Sequence, residues 1–263
     1  MVTLAAIFPP SQPPERLGAV AAATESAGLE QLWIWEDCFA ESGIATAAAI
    51  LAATRQLTVG IGLLPVPLRN VALTAMEIAT LSRLFPGRLT AGIGHGVLDW
   101  MGQAGARAES PMTLLREYTT ALYALLHGET VTTHGRYVPL DGVALAWPPA
   151  AVPPLLVGGI RPRTVSLAGE LADGVIIPSG VSPEEVRASA RQLHGQRDAG
   201  RDPADVVVFI SAPAAGPAEA IADTVREYAA AGATHVAINA AEDDADLERY
   251  TGFLAREVSP LVR

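Results

Sequence analysis

The sequence predicts an α/β fold, a (β/α)8 TIM barrel. Short apolar segments alternate with longer amphipathic ones along most of the 263-residue chain. Several short segments are continuously apolar, which is typical of parallel strands buried on both faces. Eight strand–helix pairs can be counted, the number that closes such a barrel. A two-halved doubly wound sheet has the same alternation and is the alternative architecture.

The predicted strands are rich in Val, Ile, Leu and Trp. They cover residues 2–7, 31–35, 57–64, 89–94, 154–157, 174–178, 205–210 and 234–239. Helix start and stop residues agree with this division: Pro13 and Pro14 begin the first helix, and Gly28 and Gly232 end two others. The predicted helices cover residues 13–27, 43–53, 70–84, 111–127, 161–171, 182–199, 216–231 and 244–257.

One segment departs from this alternation. Residues 129–140 and 143–145 alternate with the two-residue period of a hairpin, and a proline-rich stretch follows at 148–154. We therefore predict a β-hairpin-containing insertion before strand 5. No linker, repeat or low-complexity tract divides the chain, so a single domain over residues 1–263 is expected.

Composition excludes several classes of partner. Half of the residues are apolar, yet no apolar run is long enough for a membrane span. The net charge of −10 argues against nucleic acid or an anionic membrane surface. The single cysteine, Cys38, excludes an internal disulfide and fits a reducing compartment. The N-terminus resembles a first strand, not a leader, so a cytoplasmic protein is predicted. With nucleic acid and membranes excluded as partners, the predicted partner is a small-molecule substrate.

The Gly158–Gly159 turn suggests a site for a phosphate. It follows the apolar strand 154–157 and comes directly before a helix, whose first turn offers free N–H groups and the positive end of a dipole. Two positively charged side chains and a hydroxyl group follow the turn directly, on Arg161, Arg163 and Thr164, with Ile160 before them. A simple tight turn between strand and helix is the alternative.

Active sites of such barrels lie at the C-terminal ends of the strands. Glu36 and Asp37 are adjacent there, so only one of them can face the barrel axis. His95 stands between two glycines, and we predict a ligand or catalytic contact for it. Gly60 and Gly62 in one strand indicate a bulge, a close ligand or crowding inside the barrel.

Metal-binding and nucleophilic motifs are weak in this sequence. The five histidines are scattered without metal-ligand spacing, so no protein-bound metal is predicted. Cys38 at a strand end could act as a nucleophile, but spacing shows no partner base.

Several ordered motifs resemble those of the luciferase-like monooxygenase superfamily. Residues 27–37 (AGLEQLWIWED) are similar to its second strand and acidic end, and residues 57–65 (LTVGIGLLP) to its third strand. Residues 81–94 (LSRLFPGRLTAGIG) resemble its fourth strand and the preceding helix exit. The Gly158–Gly159 turn matches the position that holds the cofactor phosphate. The resemblance runs from Ala19 to about Ile177.

Residues 167–174 (LAGELADG) look most like the deazaflavin branch, with enzymes such as methylenetetrahydromethanopterin reductase. This resemblance implies a coenzyme F420-dependent oxidoreductase that transfers a hydride between the deazaflavin and a small organic substrate. It also implies a non-proline cis peptide bond between Gly62 and Leu63 behind the ring. An FMN-dependent monooxygenase that uses oxygen and a separate flavin reductase is the alternative. A barrel that binds cofactor without turnover is a third hypothesis.

The site residues follow from these motifs and the barrel rule. Asp37, Cys38 and His95 are the predicted catalytic residues. The predicted cofactor-binding residues are Gly62, Leu63, Gly94, His95, Gly96, Gly158, Gly159, Ile160, Arg163, Thr164 and Pro178.

The resemblance also implies a homodimer. It is expected to form through helices two and three, where the Ala-rich segment 45–49 permits close packing.

Two positions depart from the sugar-phosphate-oxidising members of the superfamily. Those members have a His after the strand-two Asp, where this chain has Cys38. They also have a Glu soon after the strand-four glycines, where this chain has Val97 or Leu98, with Asp99 further on. We therefore do not expect a sugar-phosphate dehydrogenase, and the acid–base pair is either absent or relocated.

Overall fold

Eight parallel strands close into a barrel in the computed structural model, which describes residues 2–243 and 245–262. Each strand pairs with both neighbours in the order β1, β2, β3, β4, β7, β8, β9, β10 and back to β1. The predicted TIM barrel is confirmed, and the doubly wound alternative is wrong. The barrel strands are β1 Thr3–Phe8, β2 Gln31–Ile34, β3 Thr58–Pro65, β4 Leu89–Gly94, β7 Leu155–Gly158, β8 Gly174–Ile177, β9 Asp205–Ala212 and β10 His235–Ala240.

Helices surround the barrel, and their positions agree with the predicted alternation. The short helix α4, which follows β4 beside the mouth of the barrel, was not among the predicted helices. A π-helical turn, Leu254–Val258, continues α9. The helices are α1 Leu17–Ala27, α2 Gly43–Ala53, α3 Val71–Leu84, α4 Leu98–Gln103, α5 Pro111–Leu126, α6 Pro162–Leu171, α7 Pro183–Gly195, α8 Ala218–Ala230, α9 Leu247–Phe253 and α10 Ser259–Val262.

The predicted insertion is a two-stranded antiparallel hairpin between α5 and β7. Its strands are β5, Val131–His134, and β6, Pro139–Val143. The carboxylate of Glu117 on α5 accepts hydrogen bonds from three backbone N–H groups of the connecting turn, at 2.8 to 3.1 Å. One helix side chain therefore holds the hairpin turn, and the prediction of a hairpin before the fifth barrel strand is confirmed.

The barrel interior is filled by a separate small core. Its members are Ala5, Ile7, Trp33, Leu156, Ile176, Val207, Phe209 and Ala237. The two glycines of β3 make room for its aromatic rings: a Cβ at Gly60 would lie 2.3 Å from the Trp33 ring, and one at Gly62 would lie 2.5 Å from Cζ of Phe209. Of the predicted explanations for these glycines, crowding inside the barrel accounts for both, and the predicted irregularity of the strand is also present at Gly62.

Strand β3 is irregular at its C-terminal end. Its register against β4 shifts between Ile61 and Leu64, and the Gly62–Leu63 peptide bond between them is cis. This cis bond is the one that the family resemblance implied. A second non-proline cis bond joins Cys38 to Phe39 in the segment between β2 and α2.

Within the described ranges, no helix combines the length and the apolar character needed to cross a membrane.

Candidate active site

A cavity of about 510 Å³ opens at the C-terminal ends of the barrel strands. Many of the predicted site residues line it, and it also has an apolar wall that the sequence analysis did not assign. The predicted residues that line it are Asp37, Gly62, Leu63, His95, Gly96, Gly158, Gly159 and Pro178. The other lining residues are Trp35, Glu36, Pro65, Val97, Trp100, Ile176, Ser179 and Phe209.

The Leu63 side chain forms a ledge on one side of the cavity. A Cβ at Gly158 would lie 2.2 Å from Leu63 Cδ2, and a Cβ at Gly94 would lie 2.6 Å from the same atom. The absence of a side chain at these two glycines therefore leaves the space that the Leu63 side chain occupies. Gly94 itself is buried and is not among the residues that line the cavity; its lack of a Cβ leaves room for the Leu63 side chain.

The turn after β7 leads to the exposed N-terminus of α6. Gly159 has φ 149°, and the N-cap residue, Arg161, makes no side-chain cap. Ile160, Arg161 and Arg163 are all exposed beside this turn. Backbone donors and positive charge thus lie next to the cavity, outside its wall.

Thr164 does not offer its hydroxyl to the cavity. The residue is 3% exposed, and its Oγ1 lies 3.6 Å from the sulfur of Met112. Its methyl group is directed at the turn, because a Cβ on Gly159 would lie 2.9 Å from Thr164 Cγ2. The structure therefore gives Thr164 a packing role in place of the predicted hydroxyl contact.

Adjacent Glu36 and Asp37 have different surroundings. Glu36 is 8% exposed, its Oε2 accepts a 2.6 Å hydrogen bond from the N–H of Gly43, and both of its oxygens bind the Arg69 guanidinium. Arg69 also contacts Glu77, with 3.3 Å between Nε and Oε2. Glu36 is thus fully engaged by protein groups, and Asp37 is the carboxylate left for the cavity. Sequence reasoning missed Arg69, since only the folded chain brings it to Glu36.

Burial changes the protonation of the groups beside this carboxylate. Desolvation by burial raises the pKa of Asp37 above its ordinary value. The same effect, with the negative charges of Glu36 and Asp37, raises the pKa of Cys38. Cys38 is half-buried and is not part of the cavity wall. A thiol that holds its proton is a poor nucleophile, so the geometry favours Asp37 over Cys38 for chemistry.

His95 lines the cavity from the end of β4. Its Nδ1 atom is covered and has no hydrogen-bond partner among the residues that the structure describes. Burial, followed by the nearby positive charge of Arg161, lowers the pKa of His95. The imidazole is therefore neutral near pH 7 and can accept or donate a proton toward a bound molecule.

Asp99 is not a relocated acid for this cavity. It lies on α4, its side chain is 88% exposed, and it contacts Arg107 at 3.3 Å. Val97, before α4, supplies an apolar side of the cavity wall. The polar side chains in the cavity wall are those of Asp37, His95 and Ser179 and the engaged Glu36, together with the indole groups of Trp35 and Trp100.

Two further polar atoms at this end of the barrel are covered and have no hydrogen-bond partner in residues 2–243 and 245–262. They are Nε1 of Trp35, after β2, and Oδ1 of Asn239, near the end of β10. Among residues 2–243 and 245–262, no group of three or more His, Cys, Asp or Glu side chains could hold a metal ion.

A closed parallel barrel with a cavity at the carboxyl ends of its strands is a TIM barrel, the fold in which active sites lie at that end. The profile of the luciferase-like monooxygenase family matches residues 2–258, so the chain belongs to that family. This membership confirms the resemblance seen in the sequence.

Similar proteins include oxidoreductases of the deazaflavin type. The 5,10-methylenetetrahydromethanopterin reductase of Methanolobus tindarius is 30% identical over 202 residues, 76% of this chain and 61% of that protein. The F420-dependent glucose-6-phosphate dehydrogenase of Nakamurella multipartita is 29% identical over 182 residues, 65% of this chain and 54% of that protein. The chain thus spans between 54% and 61% of the length of these relatives.

A solved structure shows the same fold throughout. The F420-dependent secondary alcohol dehydrogenase in complex with an F420-acetone adduct matches with a TM-score of 0.88 over 100% of each chain, at 19% identity.

Proposed function

We propose that this protein is a coenzyme F420-dependent oxidoreductase that transfers a hydride between the deazaflavin and a small organic substrate. The observation that carries the proposal is the cavity itself, bounded by the Gly62–Leu63 ledge on one side and by the Gly158–Gly159 turn on another. The F420-dependent dehydrogenase among the relatives supports the choice of cofactor.

The residues around the cavity fit such a cofactor. A flat ring matches the ledge, since Gly94 and Gly158 let the Leu63 side chain lie low against the barrel. A phosphate matches the N-terminus of α6, which has no side-chain cap, with Arg161 and Arg163 exposed beside it. When bound, the deazaflavin supplies a two-electron hydride carrier.

The protein's own groups would then handle the proton. Neutral His95 and the carboxyl group of Asp37 lie in the cavity wall, where a substrate can reach them. Apolar side chains surround them in the wall, among them Leu63, Val97 and Phe209. Since the wall holds no arginine or lysine, we propose an uncharged substrate and not a sugar phosphate.

An FMN-dependent monooxygenase that works with a flavin reductase is the second candidate. The family's description as a monooxygenase favours it, and the N-terminus of α6 would suit the phosphate of FMN as well. A barrel that binds cofactor without turnover is the third, and any measured hydride transfer would exclude it.

Titration of the purified protein with F420 and, separately, with FMN tests the proposal by cofactor fluorescence. We expect tight binding of F420 only; binding of FMN only would assign the protein to the oxygen-using branch. The double variant Arg161→Glu/Arg163→Glu should weaken F420 binding at least tenfold, since it replaces two cations near the phosphate by anions.

Arg187→Glu is the matched control for this titration, because Arg187 is also exposed but lies on α7. Equal affinity in the double variant and in the control would contradict the assignment of α6. A substitution of Gly159 is a poorer probe, since any Cβ there would press on Thr164.

We also propose that residues 1–263 form one domain and that the protein is a cytoplasmic homodimer. The closed barrel, in which β10 pairs with β1, supports the single domain. Leu73 and Met76 are 47% and 58% exposed on one face of α3, and apolar side chains of this kind favour a second copy. The unpaired Cys38 fits a reducing compartment.

A further inference from the structure

We propose that a second pocket, at the end of the barrel where the strands begin, binds a neutral polyhydroxylated compound about the size of one sugar ring. This pocket has a volume of about 290 Å³ and lies at the opposite end of the strands from the candidate active site. The two cavities share no lining residue, so the inference goes beyond the proposed function and does not depend on the cofactor.

A layer of polar side chains closes the barrel interior at this end. Side chains two residues apart on a strand share a face. On five strands, the residue two positions after a pocket residue either belongs to the interior core or is a glycine whose Cβ would meet that core. The pocket residues on these strands therefore face inward, and they are Thr3, Gln31, Thr58, Thr90 and His235.

Gln31 is fixed with its donor end toward this pocket. The residue is 6% exposed, and its Oε1 accepts a 2.8 Å hydrogen bond from Nε1 of Trp33, in the interior core. Because the amide oxygen is engaged by the core, the amide N–H groups are the part of the side chain left for the pocket. A ligand that accepts hydrogen bonds would meet them there.

Two hydroxyl groups of the pocket extend this pattern. Oγ1 of Thr58 donates a 2.9 Å hydrogen bond to the carbonyl oxygen of Glu30, so its lone pairs remain available to a donor. Ser82 lines the pocket from α3 and is 6% exposed, and its Oγ is covered without a hydrogen-bond partner in the described part of the chain. Buried polar atoms almost always have a partner, which indicates that a bound molecule completes this site.

The charges around the pocket favour a neutral ligand. No arginine is among its described lining residues, so an anion would find no cation there. Burial lowers the pKa of His235 against the opposing effect of Asp205, which keeps the imidazole neutral near pH 7. The carboxylate of Glu30 lies on an exposed residue at the edge. Hydroxyl groups, which both donate and accept, match this set of partners.

The other wall and the volume define the shape of the ligand. Apolar side chains complete the lining, namely Leu89, Val152, Pro153 and Pro154. A cyclic polyol carries hydroxyl groups on its rim and C–H groups on its faces, so it can contact both walls at once. The volume is just below the range of about 300–1,000 Å³ for ligand pockets, and a single ring is therefore the largest unit expected.

Titration with myo-inositol, followed through the indole N–H resonances of the four tryptophans, tests the inference. A ligand that accepts from Gln31 polarises the amide to which Trp33 donates, so the Trp33 resonance should shift and saturate. Trp35 and Trp100 line the active-site cavity and report on that site instead. Trp35→Phe, Trp100→Phe and Trp147→Phe assign the spectrum, because each removes one resonance.

Thr90→Val removes a pocket hydroxyl and keeps the shape of the side chain. It should weaken binding of myo-inositol about threefold to tenfold, as for one lost hydrogen bond. Thr133→Val is the matched control, because Thr133 is also a half-buried strand residue but lies in the hairpin, away from the pocket. Its affinity should equal that of wild type.

Four results would overturn the inference. They are no saturable shift of the Trp33 resonance, shifts confined to Trp35 and Trp100, equal affinities of the Thr90 and Thr133 variants, and a response to the cation ethanolamine but not to myo-inositol. The first would mean that the pocket holds water only. The titration uses the protein without added cofactor, so a failure to bind F420 would refute the proposed function and leave this test unaffected.

Discussion

At the scale of single residues, two adjacent carboxyl groups at the cavity have different contacts. The carboxylate of Glu36 accepts hydrogen bonds from the Arg69 guanidinium and from the N–H of Gly43, so its charge is compensated within the protein. Asp37, one residue later, lies in the cavity wall and is partly desolvated without a partner of that kind. The carboxyl group of Asp37 thus lies at the place where chemistry is proposed.

Replacement of Asp37 by asparagine should reveal the cost of this arrangement. Burial raises the pKa of Asp37 in the folded state, so the folded protein binds the proton more tightly than the unfolded chain. Wild-type stability therefore falls as pH rises through the window that begins near the ordinary aspartate pKa of about 3.9. Asp37→Asn should unfold at a higher temperature than wild type at pH 7, with the difference vanishing below about pH 4, as followed by circular dichroism.

Asp99→Asn is the control for this experiment. Its side chain is 88% exposed, so its thermal unfolding should match that of wild type within about 0.5 kcal/mol at every pH. If Asp37→Asn were equally stable to wild type at pH 7, the carboxyl group would not be desolvated in the folded protein. Hydride transfer by Asp37→Asn, in contrast, should fall at least a hundredfold if Asp37 takes part in proton transfer.

At the scale of elements, an ion-pair network joins the segments that follow β2 and β3. Arg69 is 15% exposed and contacts Glu36 from the first segment and Glu77 from α3. The same region holds the N-cap of α3, where the side chain of Asn70 accepts a hydrogen bond from the N–H of Ala72. These contacts fix the two loops whose ends form the Asp37 and Leu63 sides of the cavity.

Removal of the arginine should destabilise this part of the protein strongly. Arg69→Met leaves two largely buried carboxylates without their cation and should cost about 3 kcal/mol of unfolding free energy, measured by urea denaturation. The double variant Arg69→Met/Glu36→Gln removes one of those charges and should recover part of the loss. A single variant as stable as wild type would show that the network contributes nothing.

At the scale of the whole molecule, different parts of the barrel contribute to stability and to the cavity. The core between strands and helices holds the layers together, and the smaller interior core supports the floor of the cavity. All 18 cationic side chains other than histidine are arginines, and the net charge is −10. An anionic cofactor therefore depends on local positive charge, which the exposed Arg161 and Arg163 place at the N-terminus of α6.

The proposed homodimer is tested by the exposed face of α3. Leu73→Glu/Met76→Glu places two charges where an apolar contact between copies is expected, and it should convert the dimer to a monomer in multi-angle light scattering. Leu261→Glu, at a residue that is 38% exposed on α10, should leave the oligomeric state unchanged. A wild-type protein that is already monomeric would refute this proposal.

The sequence by itself determined the barrel, the hairpin insertion and the order of the strands. The local pattern of apolar residues indicates which segments form buried strands and which form amphipathic helices. Several glycines occupy positions where a Cβ would not fit. The C-terminal ends of the strands then pointed to Asp37 and His95, both of which line the cavity. The family motifs also located the cis bond between Gly62 and Leu63.

Only the tertiary structure decided what each of these side chains meets. Arg69 binds Glu36 from 33 residues away, and Thr164 faces Met112 from 52 residues away, so no local pattern could show either contact. The same holds for the two tryptophans: Nε1 of Trp33 donates to Gln31 inside the barrel, while Nε1 of Trp35 has no partner in the described part of the chain. Local periodicity sets which elements form, but hydrogen bonding and protonation depend on groups that meet only when the barrel closes.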